Sequence, residues 1–489
     1  MRKIGLLFFL MFSTILNAQN ERKMTLSEAI VLARTQSVDA AVALNELKTA
    51  YWEYRTFKAN LLPEVNFTGT LPSYKKSYNA YQQSDGSYTY VRNNTLGLSG
   101  EVSIDQNIWL TGGKLSLTSS MDFIKQLGSE GEKQFMSVPI SLELTQPVFG
   151  VNTLKWNRRI EPVRYAEAKA AFITETEEVT MKTITYFFDL LLAKETLGTA
   201  KQNRKNANHL YEVARAKRKM GQISENELLQ LKLSALKAKA SLTDAESNVN
   251  AKMFQLRAFL GLSETESLIP MVPDSIPNAH IEYDDVLAKS LGRNSFAQNI
   301  RRRQLEADYE VATAKGNLRN IDLFASVGYT GWDTTFSSAY SGLLDNNIVE
   351  VGVKIPILDW GKRRGKVKVA QSNREVVESR IRQEQIKFNQ NIFLLVENFN
   401  NQSTQLNIAE EADKIAQQRY RTSIETFLIG KINTLDLNDA QTSKDDARQK
   451  HISELYYYWY YFYQIRSLTL WDFQRNEELR VDFDEVVRR

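Results

Sequence analysis

Two carboxylates three residues apart, Asp436 and Asp439, are the grouping in this chain best placed to do chemistry. A spacing of three puts them on one face of a helix. Such a pair can share a proton, hold a cation, or line a passage that prefers cations. Acid–base catalysis would also need a partner group, and the sequence supplies no obvious one. The three histidines, His209, His280 and His451, are far apart, and the chain has no cysteine. That removes thiolate nucleophiles, thiolate zinc sites, disulfides and a lipidated N-terminal cysteine. We therefore expect no enzyme, no cofactor and no metal site. The plainer reading of the pair is a helix cap at Asp436, reached from Asn433, beside a solvated Asp439.

Composition narrows the class further. Lys and Arg number 62 against 58 Asp and Glu, a net charge of +4 over 489 residues. A nucleic-acid binder would concentrate basic charge, so no nucleic-acid partner is expected. Nine prolines and 22 glycines favour long uninterrupted helices. At the N-terminus, Arg2 and Lys3 precede an apolar run from Ile4 to Leu16, which reads as an export signal over 1–18 cleaved near Ala18. Later apolar runs are too interrupted for a transmembrane helix, so any membrane contact falls to strands or surface.

The elements that must position the acids come in two copies. Residues 25–67 align with 282–324 at a shift of 257, and residues from Pro147 onward align with those from Pro356 at a shift of 209. The two shifts differ by 48 residues, so the first copy holds a surplus of that size between Phe67 and Pro147. Each copy reads as helix, strands, long helix, turn and returning helix. Thr25 with Glu28 forms a capping box opening a helix to Leu61, and its partner runs from Glu282 to Leu318. Long helices follow over Val163–Met220 and Lys362–Ile429, each about 90–100 Å at 1.5 Å per residue. Gly221 and Gly430 stop them, and Ser224 and Asn433 cap the returning helices to Leu260 and Thr469. The linker spans 263–281 and the tail 471–489. Leu228, Leu231, Ala235, Ala238, Leu242, Ala245 and Val249 recur by threes and fours, as do Phe388, Ile392, Leu395, Phe399, Leu406 and Ala409, with Gln402 in the gap. That is coiled-coil spacing. The aromatic run Tyr456–Tyr463 surrounds its helix and reads as inter-helix packing.

Between helices the period changes to two. Leu96 to Ile108, Leu115 to Phe123, Val138 to Val148, Val349 to Ile357, and segments from Val65 and from Leu323 alternate apolar with polar residues. Ten-residue segments of this kind, separated by polar loops, are what membrane-barrel strands look like, although soluble sheets share the pattern. The strand regions fall at about 63–149 in a first repeat of 19–262, and about 321–358 in a second repeat of 282–470.

With these residues in view, the chain resembles the TolC-like outer-membrane efflux protein family over essentially its whole mature length. Gln146-Pro147-Val148-Phe149-Gly150 and Ile355-Pro356-Ile357-Leu358-Asp359-Trp360-Gly361 are similar to the family's strand-to-helix exits. Met220-Gly221-Gln222-Ile223-Ser224 and Ile429-Gly430-Lys431-Ile432-Asn433 are similar to its helix tips, and Leu435 to Ala440 to its acidic stretch. The resemblance implies a mixed α and β fold: a trimeric outer-membrane β-barrel continued by an antiparallel α-helical coiled-coil tunnel through the periplasm. It implies an exit duct of a tripartite efflux or type I secretion system. The partners would be two further copies, outer-membrane lipid, a periplasmic adaptor protein and, through it, an inner-membrane pump. Asp436 and Asp439 become a channel gate, and Gly221, Gln222, Ile223, Ser224, Gly430, Lys431, Ile432 and Asn433 become adaptor-docking tips. The chain departs from the family in its 48-residue surplus, in Phe427 where a tyrosine is common, and in lacking the lipid-anchor cysteine. A coiled-coil adhesin without transport activity is the competing class; conductance by the purified protein separates the two.

Overall fold

A computed structural model describes residues 21–488 apart from 129–130, 274–275, 278–279 and 355–357, so the expected leader and part of the second strand exit lie outside the described residues. The chain opens with β1 (Glu21–Met24), α1 (Leu26–Gln36) and α2 (Val38–Ala59). Four strands follow, β2 (Glu64–Gln82), β3 (Tyr88–Ile108), β4 (Gly113–Gln126) and β5 (Lys133–Pro147), then the helices α3 (Thr153–Lys219) and α4 (Glu225–Leu260). β6 (Ser267–Pro270) leads to the second repeat: α5 (Tyr283–Arg293), α6 (Ser295–Gly316), β7 (Asn320–Asp333), β8 (Leu344–Lys354), α7 (Lys362–Leu428) and α8 (Thr434–Thr469). A short hairpin of β9 (Trp471–Asp472) and β10 (Glu477–Glu478) and a last turn, α9 (Phe483–Arg488), complete the described chain. No described helix is long and apolar enough to cross a membrane. The chain divides into one unit of Met1–Leu47, Lys169–Ser295 and Ile386–Arg489, and another of Lys48–Ala168 and Phe296–Gln385.

The second unit carries one antiparallel sheet in the order β2-β3-β4-β5-β7-β8. Its pairing sorts side chains by face. Phe67 lies opposite Val102, Ile104 opposite Leu117, Leu117 opposite Leu142, and Leu142 opposite Val327. Ala325 and Leu323, two and four residues from Val327, lie opposite Val349 and Val351, so one apolar face runs across all six strands. The other face is polar: Ser116 donates to Asp105 at 2.6 Å, and Ser141 and Ser326 hydrogen-bond at 3.1 Å. Bulges refine the sequence reading. An irregularity between Ser137 and Ile140 puts Val138 opposite Ser120, on the polar side, although strict alternation groups it with Leu142 and Leu144. The alignment of Phe67 with Phe324 also fails here, because Phe324 pairs with Glu350 on the polar face. Thr111-Gly112-Gly113 forms the hairpin turn between β3 and β4, with Gly112 at φ 80°.

Asn152 explains why α3 begins ten residues before the expected Val163. Its Oδ1 accepts from the Lys155 amide at 2.8 Å, a helix cap, and its Nδ2 donates to the Trp109 and Leu110 carbonyls of that hairpin turn. Pro162 is therefore inside α3. Asp359 does the same for α7, accepting from the Arg363 amide at 3.2 Å. Within this unit Arg302 joins Glu167 at 2.6 Å and Glu306 at 2.8 Å, tying α6 to α3.

The first unit is helical. Each expected 37-residue helix is two helices, broken at Ser37 and at Asn294, both extended at ψ 150° and 167°. The breaks keep the 257-residue shift, and each has a local cause. Ser37 Oγ accepts from the Ala40 amide at 3.1 Å and so restarts the helix, and Asn294 Nδ2 donates to the Leu468 carbonyl at 3.0 Å. The predicted seams are buried: Leu231, Leu242, Ala245 and Val249 on α4, Ile392, Leu395, Phe399, Leu406 and Ala409 on α7. Gln402, the polar residue in that seam, is buried and donates to the Glu454 carbonyl at 3.0 Å. Tyr458 and Phe462 join the same core, with Tyr456, Trp459, Tyr461 and Tyr463 packed against it. A fully buried side chain such as Phe399 contributes about 1.5–3 kcal/mol. Glu177, almost fully buried, is neutralised by Arg34 at 2.8 Å and Arg466 at 3.3 Å, and Arg466 also binds Asp472 at 2.6 Å. The linker is anchored by β6, which pairs in parallel with β1.

Glu175 on α3 is half-buried, and desolvation first, then Glu46 and Glu178, push its carboxyl up to about 7 from 4.5. A raised carboxyl favours the folded state while protonated, so this contribution is fullest below the unfolded value and is lost as pH rises through 7. Melting temperature should fall between pH 5 and 8, and Glu175→Gln should flatten that fall. Parallel pH profiles for the two proteins would count against the assignment.

Candidate functional site

Both helix tips are built by one device. At Gly430 the amide donates to Phe427 O, and the Lys431 amide donates to Thr426 O, each at 3.0 Å. At Gly221 the corresponding bonds run to Arg218 O and, from Gln222, to Lys217 O, again at 3.0 Å. This double closure of the last turn requires a left-handed residue, and the two glycines sit at φ 74° and 76° with open space around the missing Cβ. Ser224 then caps α4 and Asn433 caps α8, each in a reciprocal capping box with Glu227 or Asp436. Ile223 and Ile432 turn inward onto a small core of Leu210, Ala214, Leu231, Tyr420, Leu437 and Ala440. Gln222 and Lys431 remain exposed. A bond from Lys217 Nζ to the Leu428 carbonyl, 3.3 Å, joins the two tips directly.

Asp436 and Asp439 are exposed on α8, beside buried Leu437 and Ala440. Each already has a partner. The Asp436 carboxylate accepts from the Asn433 amide at 3.4 Å, which is the capping role. Asp439 pairs with Arg419 of α7 at 2.6 Å, both largely exposed. The structure thus brings the two acids and the second tip within one stretch of α8, and it adds a cation that spacing along α8 alone could not reveal.

Three residues of the tip motifs were not singled out as contact residues. Met220, Ile429 and Leu435 are 63–69% exposed, an apolar group at the turns themselves. Their signal was present as apolar residues flanking capped turns, where polar ones are usual. Phe427 packs on the tip core, and a tyrosine hydroxyl is supplied seven residues earlier, where Asn206 Nδ2 donates to Tyr420 at 3.0 Å. Asn203 donates to Asp445 at 2.7 Å, and Arg448 bridges Glu195 and Asp413 at 3.1 and 3.2 Å. These polar links tie the first-repeat long helix to the second-repeat pair.

Comparison with known proteins places this geometry. The profile of the outer membrane efflux protein family matches residues 113–262 and 296–458. No curated protein sequence matches the chain significantly. Among solved structures, the Campylobacter jejuni CmeC outer membrane channel superposes with a TM-score of 0.67 at 15% identity, over 95% of this chain and 88% of that one. The outer membrane protein VceC of Vibrio cholerae gives 0.62 at 14% identity, covering 91% and 95%, and the open Neisseria gonorrhoeae MtrE outer membrane channel gives 0.56 at 13%, covering 93% and 91%. At these identities the likeness is one of fold.

The tip contacts differ in weight. Replacing Asn433 by Ala removes a cap and should cost about 1 kcal/mol. Replacing Arg419 by Ala removes an exposed ion pair and should cost well under about 1 kcal/mol. Thermal denaturation of the two variants checks the order, and a larger loss for Arg419→Ala would show that the pair is structural.

Proposed function

The chain belongs to the outer membrane efflux protein family, and on that premise we propose that it is a passive exit duct of the outer membrane, closed into a tube by three copies. The observation that carries this is the sheet with one apolar and one polar face, which suits a wall between lipid and water. Leu115 to Phe123 on β4 is a nine-residue stretch, within the range of membrane-spanning strands at roughly 9–11 residues. Aromatic residues suit both membrane boundaries. Trp109 and Trp156 stack with Arg158 and Arg159 at 3.8 and 4.8 Å where strands meet helices, and Tyr78, Tyr81, Tyr88 and Tyr90 line the opposite end of β2 and β3.

Association of copies is supported by a second apolar stripe on α4. Leu229, Leu233 and Leu236 are 52–58% exposed, on the side away from the buried seam. Three copies would pack such stripes against neighbours and leave a wet interior as a coiled-coil tunnel. The tips would then meet a periplasmic adaptor, through which an inner-membrane pump delivers small molecules or proteins; this is a tripartite efflux or type I secretion arrangement. The apolar Met220, Ile429 and Leu435 and the polar Gln222 and Lys431 give the adaptor its contact surface.

At the tip, Asp436 and Asp439 would form stacked rings of carboxylates near the narrowest point, attracting cations, with Arg419 offsetting the charge of the Asp439 ring, the one farther from the turn. Planar-bilayer recording tests this. Asp436→Asn with Asp439→Asn, which keeps hydrogen-bonding groups at the cap, should lower cation selectivity, and Arg419→Ala should raise it. Selectivity unmoved by both would mean that the acids do not face the passage. Docking has its own test: Gly430→Asp has room for its side chain and should cost about 1–2 kcal/mol of backbone strain. It should abolish export while membrane insertion and trimer yield persist. Loss of the trimer would show a folding defect instead.

A further inference from the structure

The family profile begins at Gly113, the first residue of β4, so its matched segments hold β4, β5, β7 and β8 and leave β2 and β3 outside. Yet β2 and β3 are not appended to the sheet loosely. β3 pairs with β4 without interruption from Ile108–Gly113 to Thr95–Gln126, and β2 pairs with β3 over almost its whole length. The hairpin also continues both faces, with Val65, Phe67, Val102 and Ile104 on the apolar side and Asn66, Ser103 and Asp105 on the polar one. At its base, Asn107 Nδ2 donates to the Asn60 carbonyl at 3.0 Å and Gln106 to the Leu61 carbonyl at 3.1 Å, so the strand leaves beside the end of α2.

This leaves β2 and β8 as the sheet's two edges. Both are exposed nearly throughout, in contrast to the half-buried strands between them. Among the described residues, no other strand is available to pair with them: the remaining strands form two separate two-stranded sheets. An unpaired edge cannot face lipid, where each free N–H and C=O costs several kcal/mol. The strand count permits closure by like copies. Six strands alternate in direction, so β8 of one copy runs antiparallel to β2 of the next, as every other junction in the sheet does.

We infer that β8 of each copy pairs with β2 of its neighbour, so that all six strands are barrel wall and three copies enclose a pore about one and a half times as wide as four strands per copy would give, the diameter growing roughly with strand number. The occupant of each edge is thus a second copy of this chain. The wider mouth admits cargo of larger cross-section at the outer surface. This rests on the duct reading for the number of copies and for the membrane.

The chain has no cysteine, which makes crosslinking clean. Val351→Cys on β8 is combined with Val65→Cys or Phe67→Cys on β2, all on the apolar face, and treated with a short bismaleimide in outer membranes. Covalent multimers are expected from these pairs and none from Val351→Cys with Leu117→Cys on β4. Linking through Leu117 instead would mean that β2 and β3 sit outside the wall, and would overturn the inference. A second measurement removes Glu64–Thr111, a segment of 48 residues matching the surplus between the two repeat shifts. The end of α2 then reaches β4 across one strand spacing, about 4.8 Å. End-on electron-microscopy averages should show a barrel about one third narrower than that of the full chain. An unchanged diameter would equally overturn the inference. If the deleted chain fails to assemble, the crosslinks decide alone. Absence of any conductance from the full chain would remove the duct reading while the crosslinks still judge the edge pairing.

Discussion

The hydrogen-bonding groups at the two edges of the six-stranded sheet set the terms for everything else. A sheet that is apolar on one face and polar on the other needs its apolar face covered, and under the duct reading proposed above lipid covers it. Against lipid its edges must be paired. The chain meets the face requirement by itself, through a pairing that keeps Phe67, Val102, Leu117, Leu142, Val327, Ala325 and Val349 on one side. It does not meet the edge requirement by itself. The self-association proposed above would answer that requirement through backbone chemistry, before any particular side-chain contact is considered.

The helices answer a different constraint, which is how to stop and restart a helix of 67 residues at defined places. Every stop uses a local hydrogen-bonding device. Asn152 and Asp359 start the long helices, the closed turns at Gly221 and Gly430 end them, and reciprocal capping boxes begin α4 and α8. The tip is therefore stiff in its backbone. Around its small apolar core, its inter-helix connections include polar, partly exposed ones, such as Asn206 with Tyr420 and Arg419 with Asp439. Contacts of that kind contribute little individually and can be exchanged for water. The larger core around Phe187, Phe399 and Tyr458, with Glu177 held between Arg34 and Arg466, is far more deeply buried than the tip.

Where the sequence spoke through local rules, it was legible. The capping residues and the glycine turns depend on near neighbours and appear where spacing put them, as do most of the buried seams and most of the apolar strand positions. The break at Ser37 was not visible, because a lone serine in an apolar-periodic stretch reads as an ordinary helical residue. Its counterpart Asn294 acts through Leu468, 174 positions away. The expected start at Val163 was wrong because Asn152 caps α3 ten residues earlier while also serving the β3–β4 turn, leaving Pro162 inside the helix. Bulges changed which face Val138 occupies, since one extra residue reverses a period of two. For the acidic pair, spacing gave the shared face correctly and missed Arg419, which approaches from another helix.

Amide hydrogen exchange on the purified, detergent-solubilised protein addresses the edge constraint directly, whether the tip is open or closed. Half the amides of an edge strand point away from its only neighbour. If copies close the sheet, β2 and β8 should be protected along Glu64–Gln82 and Leu344–Lys354 to the same degree as the interior strand β4. Fast exchange of alternate amides in β2 and β8, beside a slow β4, would mean that the edges stay unpaired and that the wall does not close.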